Sequence, residues 1–199
     1  TSYGKVKTHR LLMKPNSDTY LENDFYSREV INTAISQVES MKDQIIANLS
    51  GTDYEKIVQV NDWLIDNLDY GTIYGNNSYN IYGALIGRNC VCEGYAESFK
   101  YIMDELNIPC IIIIGTAQNS EGNSENHEWN YVELDGNWYA MDVTWNDPIL
   151  IGGGRLSNSL KHHYLLTGNS INKNHFPNGK ISTNGMTFTY PELSANDYR

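Results

Sequence analysis

The dipeptide Asp135-Gly136 constrains this chain more than any other pair of residues. It separates two stretches that read as strands, residues 127–134 and 138–145. A two-residue hairpin loop needs positive φ at both central positions, which Asp-Gly accommodates. Such a loop also fixes the register. Leu134 pairs with Asn137, which places Trp129 opposite Asp142 and His127 opposite Thr144. His127 and Asp142 then share one face of the hairpin as diagonal neighbours, with Cα atoms roughly 7–8 Å apart.

Upstream the hydrophobic period is helical. From Ser27, a candidate N-cap, Val30, Ile31, Ala34, Ile35, Val38, Met41, Ile45 and Leu49 fall on one face, and Ser50-Gly51 offers a stop. A second helix starts at Thr52 or Asp53, buries Ile57, Val60, Leu64, Ile65 and Leu68, and runs out before Tyr70-Gly71. Residues 71–90 form a long Gly-, Asn- and Tyr-rich connection with one turn near 81–85, a length often tied to function. A third helix begins near Cys92, turns Tyr95, Ala96, Phe99, Ile102, Met103 and Leu106 inward, and ends at Asn107 and Pro109. Residues 110–114 read as a central strand. A short strand is expected at 6–13, and a final strand pair at 164–167 and 186–190. Helices first and strands later predict an α+β domain with an antiparallel sheet.

Composition removes several functions. A net charge of −10, with 14 scattered basic residues, argues against nucleic acid as a partner. No apolar run approaches the ~18 residues of a membrane span. Three cysteines exclude a fully paired disulfide framework, and the Cys90-x-Cys92 spacing with a lone Cys110 matches no common zinc pattern. No metal or cofactor is expected. His162-His163 reads as surface, Asp147-Pro148 as a turn, and His175 as a structural histidine. Trp129, Trp138 and Trp145 alternate faces, so some belong to the core. The wealth of Asn, Tyr, Ser and Gly points to an exported or cell-surface bacterial chain. A start at Thr1 reads as a processed or partial chain.

Cys92 opens a helix, where unpaired N–H groups and the positive dipole end favour a thiolate. Gly94 is expected to let a substrate backbone approach. The bland alternative is a small buried hydrophobe, the usual state of a free cysteine. For His127 the alternative is a satisfied structural histidine, and for Asp142 a solvated strand residue. Together they form a nucleophile, a base and an orienter, with the carboxylate expected on the imidazole Nδ1 and the other nitrogen left as base.

Val91-Cys92-Glu93-Gly94-Tyr95-Ala96, His127-Glu128-Trp129-Asn130, Asp135-Gly136-Asn137-Trp138-Tyr139 and Asp142-Val143-Thr144-Trp145 resemble the transglutaminase-like superfamily, in wording close to its bacterial branch and its kyphoscoliosis-peptidase-like group. The likeness covers roughly residues 53–176. It implies a papain-like fold with the nucleophile helix packed on a small antiparallel sheet, and Cys92 as nucleophile, His127 as general base and Asp142 as its orienter. The implied activity is acyl transfer on peptide or side-chain amides through a thioester. Hydrolysis or deamidation is expected over cross-linking, and the substrate is a protein or peptide. The alternative is a non-catalytic peptide-binding module of a larger surface protein. The expected division is a flanking segment with one long helix at 1–50 and the catalytic domain at 51–199. Family members often supply a side-chain oxyanion donor upstream of the cysteine. Here the candidates are Asn80 and Tyr82, with the Cys92 backbone N–H as another donor. No acidic loop resembles a calcium site.

Overall fold

A computed structural model describes residues 27–148, 156–183 and 186–198. The strand expected at 6–13 lies outside them. Helix α1 (Arg28–Ala47) begins where Ser27 accepts a hydrogen bond from the Val30 N–H. It buries Ala34, Val38 and Ile45, while Val30 stays exposed. Its cap is Asn48, short of the Ser50-Gly51 stop. Helix α2 (Asp53–Asn67) opens on a capping box: Thr52 bonds the Glu55 N–H and Glu55 bonds back. Its whole expected stripe is buried, from Ile57 to Leu68.

The 71–90 connection holds more structure than its composition conveys. A two-residue parallel pair joins β1 (Asp69–Tyr70) to β2 (Asn89–Cys90). Between them lie a 3-10 turn at Gly75–Tyr79 and a π turn at Gly83–Gly87. Helix α3 (Cys92–Glu105) follows at once and buries Tyr95, Ala96, Phe99, Ile102 and Met103 against α2 and the sheet.

The main sheet has the order β5-β4-β3-β6, antiparallel throughout, from β3 (Cys110–Gln118), β4 (Ser124–Leu134), β5 (Asn137–Met141) and β6 (His175–Pro177). The hairpin turns as expected: Asp135 and Gly136 have φ of 52° and 78°, and Leu134 pairs with Asn137. The second strand, expected over 138–145, stops at Met141. From Asp142 the chain folds into turns, with Asn146 N–H bonded to the Asp142 carbonyl. The late strands also differ from expectation. Residues 164–167 contribute one bridge, Thr167 to Ala140, and β8 (Met186–Thr189) pairs with β7 (Lys180–Thr183) in a separate hairpin. A four-residue helix α4 (Asn158–Lys161) precedes them.

Gly115 on β3 is the tight point of the sheet. A Cβ there would come within 2.3 Å of the Phe176 carbonyl on β6 and 2.8 Å of the Trp129 ring. Gly115→Ala is therefore expected to push β6 from β3 and to destabilise the fold by about 1–3 kcal/mol in denaturant titration. An unchanged midpoint would show that the strand pair gives way freely.

Candidate active site

Cys92 is the first residue of α3 and half-buried. Val91, the capping residue, makes no side-chain hydrogen bond to the helix start, so no side-chain cap competes for the N–H groups there. Across from it, β4 presents His127, buried to 3% exposure, with the Cys92 side chain within electrostatic reach of its ring. Asp142 lies where β5 ends, fully buried, with Oδ2 2.8 Å from His127 Nε2. The three residues expected from sequence are together. Their ring geometry is the reverse of the expectation: the carboxylate takes Nε2, so Nδ1 is the nitrogen left for Cys92. Register alone fixes which face a side chain occupies, not how its ring is turned.

The break in β5 explains how Asp142 reaches its place. Its N–H donates to the Tyr164 carbonyl at 3.1 Å. Asn146, four residues on, donates to Asn61 Oδ1 of α2 and accepts from the Tyr164 N–H at 2.7 Å. Asp147 accepts from the Tyr95 hydroxyl of α3 at 2.7 Å. The Asp142 turn is thus fastened to both helices, and Asp147 is a fastening, not a second acid. Asp142 Oδ1 accepts the Trp145 N–H at 3.0 Å, and Oδ2 accepts from a second ring, His175 Nε2 on β6, also at 2.8 Å.

Charge in this pocket is strongly coupled. Burial alone would depress His127, but the charge and hydrogen bond of Asp142, then those of Cys92, raise it from 6.5 to about 10. Burial likewise opposes the Asp142 charge, yet His127 and then His175 hold it well below the usual carboxylate range. Beside them Glu128 is raised to about 7 by burial and by Glu93, with His127 pulling it back.

A model of the family described as the transglutaminase-like superfamily matches residues 39–143, more than half of the chain. The chain belongs to this superfamily. It is similar to the human kyphoscoliosis peptidase, at 23% identity over 176 residues, and to the mouse protein, at 22% over 171. These alignments take in 79% and 76% of this chain but only 26% of either relative, so the chain spans about a quarter of their length. Among solved structures it resembles a TGase, with a TM-score of 0.50 and 15% identity over 80% of this chain and 41% of that one. That likeness is one of fold, α+β with helices on an antiparallel sheet. Transglutaminase-like proteins include cysteine-dependent acyltransferases and proteases.

Other residues singled out around this transglutaminase-like site are placed as follows. Asn80 is fully buried, and its Oδ1 accepts from the Tyr82 and Gly83 N–H groups while its amide donates to Asn77. It caps the turn that follows and is committed there. Tyr82 sends its hydroxyl toward Gln37 on α1. Gly94 serves packing, not substrate approach: a Cβ would lie 2.6 Å from Cys90 Cβ. His162 bonds Asp62 at 2.7 Å on α2. Trp129 is core at 1% exposure, whereas Trp138 and Trp145 are half-buried.

His127, Asp142 and His175 also bring metal-ligand atom types within 4.8 Å of one another. Both Nε2 atoms, however, face the same carboxylate oxygen at hydrogen-bond distance, so they carry protons there instead of offering lone pairs. The arrangement suits protons.

Two predictions follow from these settings. Burial drives the Cys90 and Cys110 thiols strongly upward, so iodoacetamide near neutral pH should modify Cys92 first in peptide mass spectra. Faster labelling of Cys90 or Cys110 would contradict the site. The second concerns stability. His127 is raised on folding, so its contribution is complete below about 6.5 and drains away as pH climbs through about 10. Asp142 is depressed, so its share is present above 3.8 and lost as pH falls through its folded value. The Tm advantage of the wild type over His127→Gln should therefore peak between about pH 4 and 6.5 and shrink towards pH 10. A pH-independent difference would remove the ion pair from the account.

Proposed function

We propose that this chain is a cysteine enzyme that transfers acyl groups from peptide or side-chain amides through a thioester on Cys92. The observation that carries the reading is a half-buried thiol at an uncapped helix start, within electrostatic reach of an imidazole whose Nε2 is held by a buried carboxylate. In this reading His127 takes the Cys92 proton on Nδ1 and forms a thiolate–imidazolium pair. The sulfur attacks the amide carbonyl, and the oxyanion is met by the N–H groups at the start of α3. The imidazolium returns its proton to the leaving amine, and the thioester remains. Asp142 keeps the ring turned so that Nδ1 faces the sulfur, and its buried charge stabilises the imidazolium.

The acceptor decides between hydrolysis and cross-linking. Aminolysis at the expense of water needs a dry, walled channel for the amine. Near Trp145 and Tyr164 the surface opens into a cleft of about 500 Å³ with a mixed lining, Gln118, Asn119, Ser120 and Thr144 beside Trp145, Pro148 and Tyr164. Tyr70, within electrostatic reach of Cys92, is 48% exposed. These surroundings favour water as acceptor. Given a glutamine-containing donor peptide and excess primary amine, the protein should release ammonia or cleave the backbone with little amine incorporation. Cys92→Ala should abolish either outcome. Predominant amine incorporation that depends on Cys92 would show a transferase instead.

A further inference from the structure

His175 stands outside the three residues invoked above, yet it is tied to them more closely than packing requires. Its ring is fully buried, with Trp129, Trp145, Tyr164 and His127 around it at centroid distances of 4.6 to 5.6 Å. An apolar side chain would fill such an aromatic box without the cost of burying two polar nitrogens. Both nitrogens are instead satisfied. Nε2 lies 2.8 Å from Asp142 Oδ2, and Nδ1 lies 2.8 Å from the Asn174 side-chain amide. That amide is in turn bonded to the Tyr164 hydroxyl at 2.9 Å. Rotating the Asn174 amide changes what Nδ1 carries but not what Nε2 does. Facing an ionised carboxylate, which only accepts, Nε2 must carry a proton.

We propose that His175 is a positioning residue for the Cys92 reaction, holding the Asp142 carboxylate ionised and aimed at His127; this rests on the acyl-transfer reading above. Among the described residues Asp142 receives three donors: His127 and His175 on Oδ2, and the Trp145 N–H on Oδ1. A carboxylate with no solvent contact is kept negative by such donors alone. Negative Asp142 holds His127 as imidazolium, the partner the Cys92 sulfur needs in the reaction proposed above. Removing the His175 donor leaves the same buried charge with two donors, so protonation of Asp142 and collapse of the thiolate–imidazolium pair come at higher pH. His175 also resists rotation of the carboxylate, because Oδ2 is drawn to a point between two fixed rings. Among the described residues the other titratable groups at the cluster are Cys92 from α3, Glu128 from β4 with Glu93 behind it, and Tyr164 from the segment before β6. None of these bonds Asp142 in place of His175.

The test compares wild type, His175→Gln and His175→Leu on the full chain. Gln places an amide N–H near the position of Nε2, whereas Leu fills space without a donor. The readout is the rate of iodoacetamide alkylation of Cys92 against pH, followed by peptide mass spectrometry. Loss of one hydrogen bond to a buried charge should move the acid-side midpoint of the Leu variant upward by about one pH unit. The Gln variant should stay within about a third of a unit of wild type. In ¹⁵N spectra of the wild type, His175 Nε2 should remain protonated across the neutral range. Identical profiles for all three proteins, an equal shift for Gln and Leu, or an unprotonated Nε2 would each overturn the assignment. Should the Leu variant fail to fold, the Gln profile and the ¹⁵N signal still decide. A wild-type Cys92 that titrates as an ordinary isolated thiol would overturn the parent reading instead, and the ¹⁵N signal separates the two failures.

Discussion

A single carboxylate with no solvent contact organises this molecule's candidate site. Burying Asp142 would cost several kcal/mol if its charge were left unsatisfied, and the fold supplies donors from three directions. One comes from β4, one from β6 and one from the backbone three residues on. Strand β5 stops at Met141, and Asp142 takes its place at the start of the turns that follow. The turns after it are then fastened by Asn146 to α2 and by Asp147 to α3. The break in the sheet and the polar fastenings around it are the consequence of placing one charge.

The Cys92 side of the candidate site depends on a different constraint, close approach. Helix α3 starts directly after β2, and Cys90 packs against Gly94, where even a methyl group would collide. Tyr95, the next residue, reaches Asp147. The residues flanking Cys92 thus tie the helix start to the Asp142 turn, and the distance between thiol and imidazole follows from packing at neighbouring positions. Asn80, buried with its amide committed to the turn before β2, holds the other side of the same junction.

How much of this was legible depends on how local each signal was. The Asp135-Gly136 turn and the register it sets are properties of a few consecutive residues, and both appear as expected. The stripes of α2 and α3 are equally local. His127 and Asp142 do meet, but the hairpin register predicts the contact along a strand running to residue 145, and a turn after Met141 makes it instead. Which ring nitrogen faces the acid depends on a side-chain torsion that spacing does not encode. The contact between His175 and Asp142 is not legible in the sequence, because the two lie 33 residues apart and meet only when β6 pairs with β3. Gly94 illustrates a further limit: a glycine beside a nucleophile offers the same sequence signal whether it admits a substrate or a neighbouring cysteine.

The central claim is that Cys92, His127 and Asp142 act as one nucleophilic unit, and trapping the acyl-enzyme tests it most directly. The protein would be incubated with an activated ester such as p-nitrophenyl acetate and examined by intact and peptide mass spectrometry. The account predicts one acetyl group, located on Cys92, released by neutral hydroxylamine as a thioester is, and nearly absent in His127→Ala. Acetylation spread over lysines, or located on Cys92 at the same rate without His127, would contradict it.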